Sequence, residues 1–194
     1  MQDDLNGLIL MGGSSTRMGM DKSSIQYYDK PQGEHLFELL HSYVSECYVS
    51  LNRERTLTFT DQIIIDGFDL KGPLNGILSA HEFQPSKAWL VLAVDLPLIN
   101  SKTLSKLISQ RDRQAYATAF LNARDNFPEP LVTIWEPTGL RKLKEFHTSG
   151  RTTYPRDFLQ SEEIKLINVD TENELLNANN EYELKLVRSI LSSK

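Results

Sequence analysis

Short continuous apolar runs alternate along this chain with stretches of helical periodicity. "LNGLILM" (5–11) is too short and too unbroken for an amphipathic helix, and reads as a strand buried on both faces. "EHLFELLHSYVSE" (34–46) repeats Leu36, Leu39, Leu40 and Val44 at helical spacing. "CYVSL" (47–51) and "QIIID" (62–66) read as strands, and "NGILSAHEF" (75–83) as a short helix. "AWLVLAVD" (88–95) is a second unbroken apolar run, predicted to be central to a parallel sheet. "SKTLSKLISQR" (101–111) puts Leu104, Leu107 and Ile108 on one face, with Ser101 as the expected N-cap. Further on, "QAYATAFL" (114–121), "PLVTIW" (130–135) and "EEIKLINV" (162–169) read as strands. "TGLRKLKEFH" (138–147) and "NEYELKLVRSILSS" (180–193) read as helices. The proline-containing stretches 126–130 and 153–157 are expected to be loops over an active-site face. Strand–helix alternation predicts an α/β fold with crossover connections, and no linker interrupts it. A single domain over 1–194 follows.

Composition narrows the chemistry. At 194 residues the chain can bury a proper core, and 40% hydrophobic with 24% charged residues is ordinary for a globular protein. A formal charge of −5 gives a weakly acidic surface, which argues against nucleic-acid or anionic-membrane partners. The single cysteine, Cys47, rules out an intramolecular disulfide and a thiolate metal site, and is expected to be a small buried hydrophobe. No apolar run approaches the roughly 20 residues a membrane helix needs. The first residues, "MQDDLNG", lack a signal-peptide pattern, so a cytoplasmic location is the expectation.

The candidate chemistry begins where the first strand ends, at "GGSSTRMGMDK" (12–22). Glycines let backbone N–H groups approach phosphate oxygens with no Cβ in the way, and successive amides form an anion-binding nest. Arg17 and Lys22 add full positive charge, one as a fork and one as a point. Two familiar phosphate loops do not fit. A Walker loop requires a lysine after its second glycine, where Gly19 is followed by Met20. Gly12, Gly13 and Gly19 do not have the dinucleotide spacing either. A second signal is Asp95, closing the apolar run "VLAVDLPLI" (91–99). A carboxylate at the C-terminal end of a central parallel strand lies where such sheets bind ligands, and suits Mg²⁺. A third is "KGPLNGI" (71–77), a Gly-Pro turn through Gly72, Pro73 and Leu74 followed by a second glycine, Gly76, near a helix start, which can bring backbone close to a base or ribose.

These three stretches, in this order and at similar spacing, resemble the molybdenum cofactor guanylyltransferases, the MobA family. The resemblance runs over nearly the whole length. It implies a three-layer Rossmann-like α/β fold of the glycosyltransferase-A or nucleotide-diphospho-sugar transferase type, with a mostly parallel sheet and helices on both faces. It implies a nucleotide-binding half (1–111) and an acceptor-binding half (112–194). The family's loop reads Leu-Ala-Gly-Gly, then Arg-Met-Gly and Asp-Lys; here Met11 replaces the alanine, while Arg17, Met18, Gly19, Asp21 and Lys22 match. The family's guanine and ribose contacts fall on Leu10, Met11, Gly12, Ser50 or Asn52, and Asp66, and its metal ligand on Asp95. Late in the chain, "LLNANNEYEL" (175–184) resembles the family's Asn-x-Asn through Asn177 and Asn179, without the Thr-Pro that usually follows. "FPEPLVTIW" (127–135) resembles its Gln-Pro-Leu strand, and "GRTTYPRDFL" (150–159) its basic stretch before a helix.

The activity so implied is transfer of GMP from GTP to the terminal phosphate of molybdopterin or of the molybdenum cofactor, with Mg²⁺ as cofactor and pyrophosphate released. The nucleophile is already an anion, so no general base is needed, and the four scattered histidines have no nucleophile pattern beside them. Lys22 and Arg17 would hold phosphate charge, and the Gly12 and Gly13 amides would fix the triphosphate. The implied partners are GTP, the molybdopterin acceptor and cofactor-biosynthesis or molybdoenzyme proteins, and the chain is expected to be a monomer. Two other readings stand beside this one. A cytidylyl- or sugar-phosphate nucleotidyltransferase shares the scaffold, but its relatives tend to carry Ala-Gly at Gly12-Gly13 and Pro-x-Lys at Met20-Asp21-Lys22. A non-catalytic nucleotide-binding module has no need of both Lys22 and Asp95.

Overall fold

The apolar runs come together in one seven-stranded sheet in the computed structural model, which describes residues 4–11, 21–151, 154–171 and 173–193. In chain order the elements are β1 (Leu5–Leu10), a 3₁₀ turn (Lys22–Ser24), α1 (Gln32–His41), β2 (Cys47–Leu51), β3 (Ile63–Ile65) and α2 (Pro73–Phe83). There follow β4 (Ala88–Ala93), α3 (Ser101–Ser109), β5 (Ala117–Asn122), β6 (Phe127–Trp135), α4 (Pro137–Thr148), α5 (Pro155–Ser161), β7 (Lys165–Asn168) and α6 (Glu181–Ser192). The strand order is β3-β2-β1-β4-β6-β5-β7. Every pairing is parallel except those of β6, which runs against both β4 and β5. β4 is the middle strand, as its unbroken apolar run predicts.

Alternate residues of each strand feed two cores. On one face Leu5, Ile9, Val49, Leu90, Leu92 and Ile134 pack with Leu36 and Leu40 of α1 and Leu104 and Leu107 of α3. On the other, Leu8, Leu10, Trp89, Val91 and Trp135 pack with α2, α4 and α5 through Ile77, Leu140 and Phe158. Three layers result, helices over both faces of the sheet. A smaller cluster of Leu98, Leu176, Ala178 and Val187 seats α6 and the segment before it. Cys47 is fully buried, and burial pushes its thiol up to about 12, so it is the inert hydrophobe expected.

Four readings of the sequence need correction. The first helix stops at His41 instead of running to Glu46, because the Ser45 amide donates to the Leu5 carbonyl and draws the chain onto β1, with Val44 buried. The cap of α3 is Asn100, whose side chain accepts from the Lys102 and Thr103 amides; Ser101 is the first helical residue. The stretch 126–130 is mostly strand: β6 starts at Phe127, Pro128 pairs only toward β5 and Pro130 falls at the register shift, both beyond the end of β4, where missing donors are tolerated. Of the stretch 153–157, Thr153 lies outside the described residues, and Tyr154 to Asp157 open α5, with Pro155 in the first turn, where a proline costs no hydrogen bond.

Candidate active site

A cavity of about 270 Å³ opens at the C-terminal ends of β1, β2 and β4, where an open α/β sheet places its ligands. Of the residues predicted for the site, Leu10, Met11, Lys22, Ser50, Asp66, Gly72, Pro73 and Asp95 all line it. Leu74 is fully buried in the core behind it. Asn52 lines an adjoining hollow of about 640 Å³ that shares Asp66 and Gly72 with the cavity. Gly12, Gly13 and Arg17 lie outside the described residues.

Lys22 is placed by a local device. Asp21 precedes the 3₁₀ turn and caps it, its Oδ1 accepting from the Ser23 amide at 3.0 Å. The Lys22 ammonium then stands 3.1 Å from Asp95 Oδ2 and donates to Asn179 Oδ1 at 2.6 Å. The Asp95 carbonyl in turn accepts from the Ala178 amide at 2.9 Å. The late asparagine segment therefore closes over the end of β4. Asn179 reaches the lysine, while Asn177 sits half-buried in the same segment. The Tyr27 phenol lies in this neighbourhood too. Burial pushes it up to about 12, eased by Arg188 and reinforced by Asp95, so it stays protonated.

The opposite wall is built around Asp66. Ser50 Oγ donates to Asp66 Oδ1 at 2.6 Å. Burial raises the Asp66 carboxyl above the usual range, and the serine hydrogen bond works against that shift. The loop from Asp66 to Gly72 is pinned onto α2 from inside. Asn75 accepts from the Phe68 amide at 3.1 Å and donates to the Phe68 and Leu70 carbonyls at 2.6 and 3.1 Å. Ser79 Oγ accepts from the Gly67 amide at 2.8 Å. Gly72 has φ 81°, a left-handed value that suits glycine, and Pro73 starts the helix. Gly76 is a close approach: a Cβ there would lie 2.3 Å from Ser50 Oγ and 2.6 Å from Leu10 Cδ2. The first turn of α2 thus rests directly on β1 and β2, with the positive end of its dipole at the cavity.

Met11, the departure in the glycine motif, turns its side chain into the core, against Gly33 of α1. Its amide donates to the Ser50 carbonyl at 3.1 Å, and its own carbonyl accepts from Arg55. Gly76, the second glycine of "KGPLNGI", lines the cavity, whereas Arg55 and Leu131 belong to the site's surroundings without having been singled out from the sequence. Leu131 lay within the Gln-Pro-Leu-like stretch, whereas nothing in "NRERT" marks Arg55.

Three carboxylates, Asp21, Asp66 and Asp95, line the cavity. Among the described residues no group of three His, Cys, Asp or Glu side chains could hold an ion by itself. Asp95 is paired with the Lys22 ammonium at 3.1 Å, at the end of β4. No histidine lines the cavity. His81 is buried on α2 and His35 stacks on Tyr28 with centroids 4.0 Å apart. The Lys22 ammonium at the cavity can hold phosphate charge, and among the described residues no histidine is placed to act as a general base.

A family model described as a MobA-like NTP transferase domain matches residues 7–165. The "Molybdenum cofactor biosynthesis bifunctional protein" of Synechocystis sp. is 34% identical over 181 residues, covering 92% of this chain. The chain spans about half of that relative, 52% of its length. The "Molybdenum cofactor guanylyltransferase" of Pseudomonas entomophila is 24% identical over 183 residues, 92% of this chain and 95% of that one. The crystal structure of "Molybdopterin-guanine dinucleotide biosynthesis protein A" from Archaeoglobus fulgidus superposes with a TM-score of 0.78. It covers 97% of this chain and 100% of its own, and at 20% identity it is the fold that the two share. Among the described residues no helix is long and apolar enough to cross a membrane.

Proposed function

The chain belongs to the MobA-like NTP transferase domain family, and from that premise we propose that it transfers GMP from GTP to the terminal phosphate of molybdopterin or the molybdenum cofactor. The observation that carries this reading is the placement of Lys22 against Asp95 at the mouth of the cavity. A terminal phosphate oxygen of the acceptor bonds to the α-phosphorus of GTP. The bond from that phosphorus to the β-phosphate oxygen breaks, and pyrophosphate leaves. The attacking oxygen is already ionised, so no proton has to move in the step. That agrees with a cavity lined by no histidine.

The chain's own residues then do three things. Ser50 and Asp66 present an acceptor-rich wall, matched to the N–H donors of guanine or to a ribose hydroxyl. Lys22 balances negative charge on the α-phosphate and the departing pyrophosphate. A fixed cation of this kind is worth more in a desolvated cleft than in water. Asn179 orients that lysine from the acceptor-binding side, so that residues 112–194 complete a site begun by 1–111. Mg²⁺, held by Asp95 and phosphate oxygens, would screen the approach of one anion to another.

The test is pyrophosphate release with each nucleoside triphosphate, with and without molybdopterin, alongside a melting curve. GTP with Mg²⁺ should stabilise the fold more than CTP, ATP or UTP, and should be the only one to turn over with the acceptor. Equal stabilisation and turnover with CTP removes the guanylyl assignment and favours the cytidylyl one. Stabilisation with no turnover leaves a binding module.

A further inference from the structure

Arg55 lies on the loop after β2, outside every stretch that carries the family resemblance. Its guanidinium is committed on two sides. Nη1 donates to the Met11 carbonyl, and Nη2 to Asp21 Oδ2 and to Ser23 Oγ, the latter at 2.9 Å. Met11 immediately precedes the glycine loop of residues 12–20, and Asp21 immediately follows it. One side chain thus joins the residue before the glycine-rich stretch to the residue after it. The other oxygen of Asp21 caps the Ser23 amide, and so fixes the turn that carries Lys22. Arg55 is not among the residues lining the cavity.

We propose that Arg55 is a positioning residue for nucleotidyl transfer. It ties the end of β1 at Met11 to Asp21 and, through Asp21, sets the reach of the Lys22 ammonium toward phosphate. This rests on the transfer reading above. A guanidinium suits the task because it is a rigid planar fork whose two nitrogens can serve a carbonyl and a carboxylate at once. A lysine carries the same charge on a single point and cannot span both. Misplacing a catalytic group by about 1 Å can lower the rate on the order of 10²-fold.

The experiment measures steady-state pyrophosphate release by the full chain with GTP, Mg²⁺ and molybdopterin. It compares the parent with Arg55→Gln, Arg55→Lys, Asp21→Asn and the Arg55→Gln/Asp21→Asn double variant, each beside a melting curve. Arg55→Gln is expected to lower kcat about 10²-fold while the chain still melts cooperatively. Arg55→Lys should not rescue it. The double variant should be little worse than Arg55→Gln alone, since both changes break one network. Parent-like turnover in Arg55→Gln overturns the proposal. So does full rescue by lysine, which would place the Arg55 charge directly on phosphate, and so does strict additivity in the double variant. If the parent itself releases no pyrophosphate, the transfer reading is lost and the clamp is judged separately. Hydrogen exchange at the Ser23 amide then decides: it quickens in Arg55→Gln if the clamp holds, and stays the same if it does not.

Discussion

The Lys22 ammonium and the Asn179 carboxamide are 157 positions apart in the chain and 2.6 Å apart in space. The same ammonium faces Asp95 at 3.1 Å. In this arrangement a mobile four-carbon side chain is held by two partners, one from the end of the central strand and one from the segment before α6. Both partners are oxygens, and incoming phosphates are better ones.

Removing the charge and removing its guide should therefore separate. Lys22→Ala should cost turnover about 10²–10³-fold, the usual loss for one donor to developing charge. Asn179→Ala leaves the charge but frees its direction, and should cost about tenfold or less. Neither should shift the melting temperature by more than a few degrees, because both side chains make their contacts at the surface of the site. Pyrophosphate release and melting curves on the two variants check this. An Asn179→Ala loss equal to that of Lys22→Ala would give Asn179 a direct role on the phosphates.

How much of this was legible in the sequence differs from feature to feature. The two apolar runs ending in the glycine loop and in Asp95 became β1 and β4, side by side in the sheet, because a doubly covered strand must be continuously apolar. Ser50, Asp66 and Gly72, far apart in the chain, line one cavity. The Lys22–Asn179 contact has no local signature: it exists only because Ala178 docks on Asp95 after the whole sheet has formed. Arg55 was silent for the same reason, as one of several charged residues in a polar loop. Pro128, Pro130 and Pro155 were read as loop markers. Each is a permitted exception, at a strand stretch unpaired toward β4 or at a helix start, and which exception applies is set by neighbours the sequence does not display.

Met11 gives a prediction in which stability and chemistry part. Its side chain is buried against Gly33, and the residue lines the cavity. Met11→Ala restores the family's residue but leaves a void. It should destabilise the fold by about 2–4 kcal/mol, the usual range for truncating a buried methionine. Gly33→Ala in the same background would refill part of that void, since its Cβ would point to where Met11 Cε was, 2.7 Å away. Denaturant melts of the single and double variants are the measurement. A Met11→Ala loss under 1 kcal/mol means that the site collapses around the smaller residue.

Asp95→Asn tests the metal assignment. The amide keeps the size of the side chain and can still accept from Lys22, so the fold should be nearly unaffected. A neutral amide is a poorer ligand for a hard divalent ion, so nearly all transfer activity should go and the apparent Mg²⁺ requirement should rise. Pyrophosphate release across a Mg²⁺ titration reads both. Parent-like turnover with parent-like Mg²⁺ dependence would show that Asp95 is not the ligand.

Glu129 gives a pH dependence whose sign can be worked out. It lies on β6, almost wholly buried, with Oε1 accepting from the Leu131 amide at 3.1 Å and Oε2 unpartnered. Burial raises its carboxyl above the ordinary glutamate range. The Leu131 amide, the Arg156 charge and Asn122 oppose that shift, and Asp125 adds to it. In the interval between the two values the folded chain keeps a proton that the unfolded chain has released. Stability must then fall as pH rises through that interval and level off above it. Glu129→Gln keeps the shape and cannot ionise, so it should flatten much of this fall and gain stability relative to the parent at neutral pH. Asp66, raised by burial in the same sense, leaves a residual slope. The check is denaturant-derived stability of parent and variant from about pH 4 to pH 8, spanning the ordinary carboxylate range. Parallel curves would mean that Glu129 is solvated well enough to ionise in the folded chain, and that its buried, unpartnered oxygen is reached by water.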